Sequence, residues 1–164
     1  MASGDTLATF FPTDAESPST NNAAFDIRNV VAVLDFDDTS PENVEFAGFM
    51  PRHYAAGGIT VTVGWMATTA TTGATVWGVS FKSVSDDLDD LDTKAFAASN
   101  DVTATAASAS GEVAYDIITF TDGADMDSVA AGEYFRMKIE RLAADAGDTL
   151  VGDAELVFIE IKET

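Results

Sequence analysis

Apolar and polar residues alternate with a period of two along much of the chain, which is the pattern of a β-strand with one buried face. Between Ile59 and Ala67 every odd-numbered position is apolar, and threonine or glycine fills most of the positions between them. The same alternation recurs at residues 77–82, 135–140 and 157–162. These four segments are therefore the most secure strand predictions.

The connections between these segments have the composition of turns. Residues 68–73 are rich in threonine and end in Gly73. A connection of this kind is typical of a β-hairpin, so we expect the strands at 59–67 and 77–82 to pair. Residues 143–153 (AADAGDTLVGD) hold two glycines and three aspartates, which favour turns before the last strand.

The remaining pattern predicts an all-β fold. Weaker strand candidates lie at residues 7–11, 30–36, 44–50, 102–107 and 113–121. About 8–10 strands at short, regular spacing predict a single-domain β-sandwich. One short helix is predicted at residues 88–98, where Leu88, Leu91 and Ala95 have helical spacing. Residues 1–22 are predicted to form an extended N-terminal arm or loop, and residues 23–164 the sandwich domain.

One strand candidate is apolar on both faces. In residues 113–121, Val113, Tyr115 and Ile117 point to one side, and Ile118 and Phe120 point to the other. Such a strand needs a cover on each side. We expect a second sheet to cover one side and a neighbouring subunit to cover the other.

Charge narrows the range of partners. The 164 residues include 28 acidic and 8 basic side chains, for a formal net charge of −20. Binding to nucleic acid requires Lys and Arg to displace counterions, and anionic membranes attract basic segments, so we expect neither partner. The chain has no cysteine, which excludes disulfides and zinc–thiolate sites. The N-terminus lacks the pattern of a signal peptide, and we expect no membrane span.

A run of carboxylates is the candidate metal site. Repulsion among them would be relieved by a hard cation such as calcium. The alternative is a solvated acidic loop at the start of the short helix. No other cofactor is expected. The candidate calcium ligands are Asp86, Asp87, Asp89, Asp90 and Asp92.

Catalytic motifs are absent from the sequence. His53 is the one histidine, and no nucleophile and orienting acid lie near it in the sequence. No Walker loop, nucleophile elbow or zinc-protease motif is present, so we predict that the protein is not an enzyme.

Four aromatic residues could form a sugar-binding face or, alternatively, pack in the core. These residues are Trp65, Trp77, Tyr54 and Tyr134.

Basic residues cluster near the C-terminus. Arg136 and Lys138 share one face of a predicted strand. Two alternatives remain open: they pair with the protein's own carboxylates, or they contact a partner subunit.

Residues 131–141 (AGEYFRMKIER) and 148–161 (DTLVGDAELVFIEI) resemble the closing hairpin of small jelly-roll proteins encoded in the structural gene clusters of tailed bacteriophages. Five further segments extend this resemblance over nearly the whole chain: residues 5–8, 24–29, 33–37, 46–54 and 57–61. The motifs that carry it are structural and not catalytic.

This resemblance implies a jelly-roll β-sandwich that assembles as a homotrimer on the virion. The expected role is a capsid decoration (cement) protein that binds the major capsid protein on the outer capsid surface and stabilises the shell. We expect Phe10 and Phe11, in the N-terminal arm, to anchor the capsid contact, and Arg136 and Lys138 to lie at a subunit interface. The alternatives are a tail, baseplate or fibre component, and a carbohydrate-binding β-sandwich module.

Overall fold

The computed structural model describes residues 4–164, which form an all-β sandwich of two antiparallel sheets. No helix in this range is both long and apolar enough to cross a membrane. Two single-turn 3₁₀ helices, Pro12–Asp14 and Ala124–Met126, are its only helical segments. Ten strands are present: β1 (Thr6–Phe10), β2 (Ala24–Arg28), β3 (Val31–Phe36), β4 (Glu42–Phe49), β5 (Ile59–Ala67), β6 (Ala74–Val84), β7 (Asn100–Thr105), β8 (Ala114–Phe120), β9 (Tyr134–Arg141) and β10 (Ala154–Glu163).

The strands divide into a six-stranded and a four-stranded sheet. The six-stranded sheet has the order β2-β3-β10-β5-β8. Its sixth strand, β1, pairs with the second half of β10, beyond the part that pairs with β3. The four-stranded sheet has the order β4-β9-β6-β7. This architecture confirms the predicted β-sandwich.

Two predicted hairpins are wrong: β5 does not pair with β6, and β9 does not pair with β10. β5 and β6 lie in different sheets, and so do β9 and β10. Trp65 of β5 and Trp77 of β6 pack across the interior with their ring centroids 6.1 Å apart. Alternation identifies which face of a strand is apolar, but two such faces can pack against each other across the core as well as lie side by side in one sheet.

The helix predicted at residues 88–98 is not formed. Leu88 is 84% exposed and Leu91 is 52% exposed, so their helical spacing buries no apolar stripe. Residues 86–93 instead contain two turns. The chain then runs beside β6, where the Ala97 N–H donates to the Phe81 carbonyl at 2.9 Å.

The N-terminal segment lies along the sandwich as far as the structure describes it; Met1, Ala2 and Ser3 of the predicted arm lie outside the described residues. β1 is part of the six-stranded sheet, and Glu16 exchanges two backbone hydrogen bonds with Glu45 of β4. Phe10 is 6% exposed and packs on Phe46 in the core. It is therefore not available as the predicted capsid anchor. Phe11 is 54% exposed, and its capsid contact stays a prediction.

A buried ion pair joins the two sheets at one end of the core. Arg141, at the end of β9, has no exposed side-chain surface, and Asp148 has almost none. Arg141 donates to both carboxylate oxygens of Asp148, at 3.0 and 2.8 Å. Its remaining donors bind the carbonyls of Phe36, Leu150 and Gly152 at 2.9–3.0 Å. One side chain thus contacts the end of β3 and the second half of the β9–β10 connection.

We predict that Arg141→Met lowers the free energy of unfolding by about 3–5 kcal/mol, because it leaves the buried Asp148 carboxylate without its cation and removes a donor from each of three carbonyls. Chemical denaturation measures this loss. The matched control is Arg136→Met on the same strand, whose partners Glu16 and Glu45 are more exposed, and we expect it to cost about 1 kcal/mol. Equal losses in the two variants would contradict the prediction.

Candidate functional site

The outer face of the six-stranded sheet carries exposed apolar side chains on β8. Val113, just before the strand, is 40% exposed, Tyr115 is 67% exposed and Ile117 is 54% exposed. On the other face of β8, Ile118 and Phe120 are buried in the core. The sheet interface therefore covers one side of this strand, as its sequence predicts, and the other side faces outward.

Two aromatic rings on this face form what we call the aromatic corner. Phe158 of β10 lies on Gly64 of β5 so closely that a Cβ atom at Gly64 would overlap its ring. Tyr115 pairs with Gly64 from the other side, and its ring stands at 81° to that of Phe158, with the centroids 4.9 Å apart. The absence of a side chain at position 64 thus allows one ring to lie low on the sheet and the other to stand beside it.

The face continues from the aromatic corner into a cavity of about 360 Å³, which we call the outer groove. Its floor is Met66 and Val157, and its walls come from the β2–β3 turn and from the start of β8. Its lining residues are Arg28, Asn29, Val31, Met66, Gly111, Val113 and Val157. The groove is therefore mainly apolar, with a few polar groups, which is the usual make-up of a small-molecule site.

Arg28 connects the two edges of the sheet over this groove. β2 and β8 are the outermost strands, yet the Arg28 Nη1 donates to the Ala67 carbonyl of β5 at 3.0 Å and to Glu155 of β10. A methyl group on Gly111, just before β8, would lie 3.1 Å from Arg28 Nη2. The guanidinium thus reaches across three strands and closes one end of the groove.

Below Arg28 the face holds closely spaced carboxylates. Asp35 of β3 lies directly opposite Glu155, and the Asp35 Oδ1 is buried without a hydrogen-bond partner among the described residues. Burial, together with the charges of Glu155, Asp26 and Asp153, raises the pKa of Asp35 to about 6, against a smaller opposing effect of Arg28. The folded protein therefore disfavours the ionised form of the Asp35 carboxyl, compared with the unfolded chain.

The structure does not bring the four sequence-predicted aromatic residues together. Trp65 and Trp77 are fully buried and Tyr54 is 6% exposed, so these three pack in the core. Tyr134 lies on the four-stranded sheet, and the centroid of its ring is 5.5 Å from that of Phe49. These two rings line a shallow cavity of about 400 Å³ together with Asp86, Asp87 and Asp89.

The five candidate calcium ligands do not converge on one point. Asp89 forms an ion pair with Lys94 at 2.8 Å, and Asp90 accepts from the Asp92 N–H at 3.0 Å. Among residues 4–164, the only acidic trio whose oxygens lie within 4.8 Å of one another is Asp37, Asp38 and Asp153. A hard cation suits such oxygens, although Asp37 and Asp38 already accept backbone N–H groups. Calcium binding therefore stays a prediction.

The basic pair on β9 binds the protein's own carboxylates. Arg136 contacts Glu16 and Glu45, and Lys138 lies 3.2 Å from Glu140. This is the first of the two alternatives that the sequence left open, and a further contact with another subunit stays a prediction. His53 is exposed at a turn.

Sequence reasoning missed Phe158 and Arg28 as site residues. Phe158 falls on the polar side of the alternation in β10, which is the signal that could have found it. The strand also contains a bulge between Leu156 and Phe158, which places Val157 on the groove floor instead of in the core. Arg28 carried no such signal, because its partners are 39 and 127 residues away in the sequence.

No protein-family model matches the chain, and no curated protein matches it in sequence. Similarity is found among solved structures. An isomalto-dextranase from Arthrobacter globiformis T6, complexed with panose, is similar with a TM-score of 0.55 and 15% identity over 94% of this chain. The chain spans 23% of that enzyme's length. At this identity the similarity shows a shared β-sandwich fold.

Two smaller proteins are similar over nearly their whole lengths. The K3 adhesin domain of Lys-gingipain from Porphyromonas gingivalis gives a TM-score of 0.49, with 14% identity and 99% coverage of both chains. A family 11 carbohydrate-binding module from Clostridium thermocellum, in complex with a β-1,3-1,4-mixed-linked tetrasaccharide, gives 0.48, with 8% identity over 98% of this chain and 96% of that one. None of these three structures is described as a phage protein.

We predict that Asp35→Asn stabilises the protein above pH 6 and has little effect near pH 4. A raised carboxyl pKa means that the folded state holds the proton more tightly, so stability is lost as pH rises from about 4 to about 6. The variant removes this loss, which we expect to be about 1 kcal/mol after screening by solvent. Thermal unfolding at pH 4.5 and 7.5 measures it, with Asp92→Asn as the control for net charge. A gain that does not depend on pH would contradict this cause.

Proposed function

We propose that this protein is a non-catalytic carbohydrate-binding module and that it binds glycan on the outer face of its six-stranded sheet. The observation that carries the proposal is the aromatic corner beside the outer groove. Tyr115 is 67% exposed although it touches another aromatic ring. A large, rigid, amphipathic ring held in this way is suited to contact with a ligand.

The chemistry of the face matches that of a sugar. One face of a pyranose ring presents C–H groups, which pack on aromatic and aliphatic side chains, and its hydroxyls need hydrogen-bond partners. The aromatic corner supplies the first kind of surface. The Tyr115 hydroxyl, the Asn29 amide and the N–H groups of Arg28 supply partners of the second kind at the same face.

Charge favours neutral glycans over acidic ones. The chain carries a net charge of −20, and the one basic side chain of the groove is already paired with Glu155. Uronic-acid and sulfated polymers would therefore be repelled. Neutral polysaccharides such as dextran, xylan, mannan and mixed-linked β-glucan are the expected ligand class.

We predict that the protein binds at least one neutral polysaccharide in this set and that Tyr115→Ala weakens the binding about tenfold or more. Gly64→Ala should weaken it similarly, because the new methyl group displaces the Phe158 ring. Affinity electrophoresis of the native protein against the four neutral polymers and two acidic ones, alginate and pectin, screens for binding. Isothermal titration calorimetry with matching oligosaccharides, and with panose, gives the affinities.

The control is Phe25→Ala. Phe25 is 56% exposed and lies on the other face of the same sheet, opposite Leu34, so its loss should leave glycan affinity unchanged. Equal weakening by Tyr115→Ala and Phe25→Ala, or no binding to any neutral glycan, would overturn the proposal.

The second candidate is a trimeric virion structural protein, as the phage resemblance implies. The observation that favours it is the edge strand β2, which pairs with β3 alone in the six-stranded sheet. Phe25 and Ile27 on this strand are 56% and 54% exposed, and Val30 in the following turn is 91% exposed. An apolar edge strand of this kind readily pairs with another chain.

If the protein is a trimeric virion structural protein, its native mass should equal that of three 17.2 kDa chains. We then predict that Ile27→Lys converts the trimer to a monomer. Light scattering on a sizing column measures both. The exposed Thr119→Lys change on β8 is the control for an added charge on another strand. A monomeric wild-type protein at high concentration would count against the virion role and leave the carbohydrate-binding role intact.

A further inference from the structure

The aromatic corner and the outer groove follow one another along β5. Gly64 and Met66 lie on the outer face of this strand two residues apart, which is a step of about 7 Å. Phe158 and Tyr115 meet over Gly64, and Met66 lines the groove. We call this stretch of the outer face the track. A linear ligand lying in the track would therefore have two adjacent units in contact with the sheet.

One end of the track is blocked. Beyond Met66, the Arg28 side chain contacts the Ala67 carbonyl, Glu155 and the backbone region of Gly111, which belong to β5, β10 and the segment before β8. At the opposite end of the track, the aromatic corner, the Tyr115 side chain is 67% exposed. The track is thus asymmetric.

The blocking side chain is held firmly. Glu155 has only 4% of its side chain exposed, and Arg28 has 28% exposed. Arg28 is the last residue of β2, immediately before the two-residue turn Asn29–Val30, and both turn residues have positive φ, 47° and 72°. This is the turn geometry that keeps a hairpin in tight register. A β-branched valine adopts such a φ only against steric strain, and the pairing of β2 with β3, up to Arg28 opposite Val31, holds this turn closed.

We infer that the outer groove binds the end of a glycan chain and not its interior, with Arg28 as the stop that the terminal sugar meets. This inference rests on the proposed carbohydrate-binding function. The terminal sugar lies over Met66, where Arg28 and Asn29 are in reach of its hydroxyls, and the next sugar lies against the aromatic corner. A chain that continued past Met66 would collide with the guanidinium. Arg28 is therefore a specificity-determining residue.

The experiment uses the full chain and the neutral polymer that binds most tightly in the panel described above. Calorimetry is run with its hexasaccharide in three forms: unmodified, with a naphthyl group attached at the reducing end, and with a benzylidene acetal on the non-reducing sugar. One of the two modifications should weaken binding at least tenfold, and the other should leave it unchanged. Binding to the polymer should saturate at one protein per chain, whatever the chain length.

Removal of the Arg28 side chain should abolish the discrimination between the two modified hexasaccharides. Arg28→Ala leaves Glu155 buried without a partner and risks misfolding, so the double variant Arg28→Ala, Glu155→Gln is tested with it. The variant that folds should bind both modified hexasaccharides equally and should bind more than one copy per long polymer chain. Arg52→Ala, at an exposed position outside the groove, is the control and should behave as the wild type.

The outcomes distinguish a failure of the chain-end inference from a failure of the proposed carbohydrate-binding function. If the wild type binds the three hexasaccharides equally and its stoichiometry grows with polymer length, the chain-end inference is wrong and the carbohydrate-binding proposal stands. If Tyr115→Ala fails to weaken binding as well, the bound glycan is not on this face and both fail. If no neutral glycan binds at all, the proposed function fails first.

Discussion

The buried pair of Arg141 and Asp148 is the interaction on which the arrangement of the two sheets depends. Arg141 belongs to the four-stranded sheet, and its partners include the carbonyl of Phe36 at the end of β3 in the six-stranded sheet. Asp148 in turn accepts from the Thr75 hydroxyl and the Val76 N–H of β6. A charge of this kind is stable in the interior only when its partners are complete. The long β9–β10 connection is therefore fixed as part of the core and sets where β10 begins.

The position of β10 determines the outer face. β10 is the strand that carries Phe158 and Glu155, and it pairs with β1, β3 and β5. Its bulge after Leu156 turns Val157 outward, and its Glu155 receives the guanidinium of Arg28. Phe158 of the aromatic corner and Glu155, the partner of Arg28 at the closed end of the groove, thus lie on one strand, a few residues apart. The same constraint that fixes the core also fixes the geometry of the proposed binding face.

The acidic side chains are placed so that their mutual repulsion does not disrupt the packing of the two sheets. Several basic side chains are in intramolecular ion pairs: Arg28, Arg136, Arg141, Lys94, Lys138 and Lys162. Most of the carboxylates lie at the surface, where solvent screens their repulsion. Asp35 is an exception, because it is partly buried beside Glu155 and its pKa rises to about 6. Such a group lowers the stability of the fold at neutral pH, and it lies beneath the Arg28 side chain that closes the groove.

The sequence by itself determined the fold class and the buried faces of β5, β6 and β9, because period-two alternation follows directly from the geometry of a strand. It also indicated that the outer face of β8 is apolar. Tertiary structure alone decided which strands pair, since β5 and β6 have the alternation of a hairpin yet pack across the core from each other. It also decided the binding face. The trio of Gly64, Phe158 and Tyr115 comes from three strands, and Arg28 reaches partners 39 and 127 residues away. Local patterns carry no information about contacts at such separations, because these contacts arise only when strands that are distant in the sequence lie in one sheet.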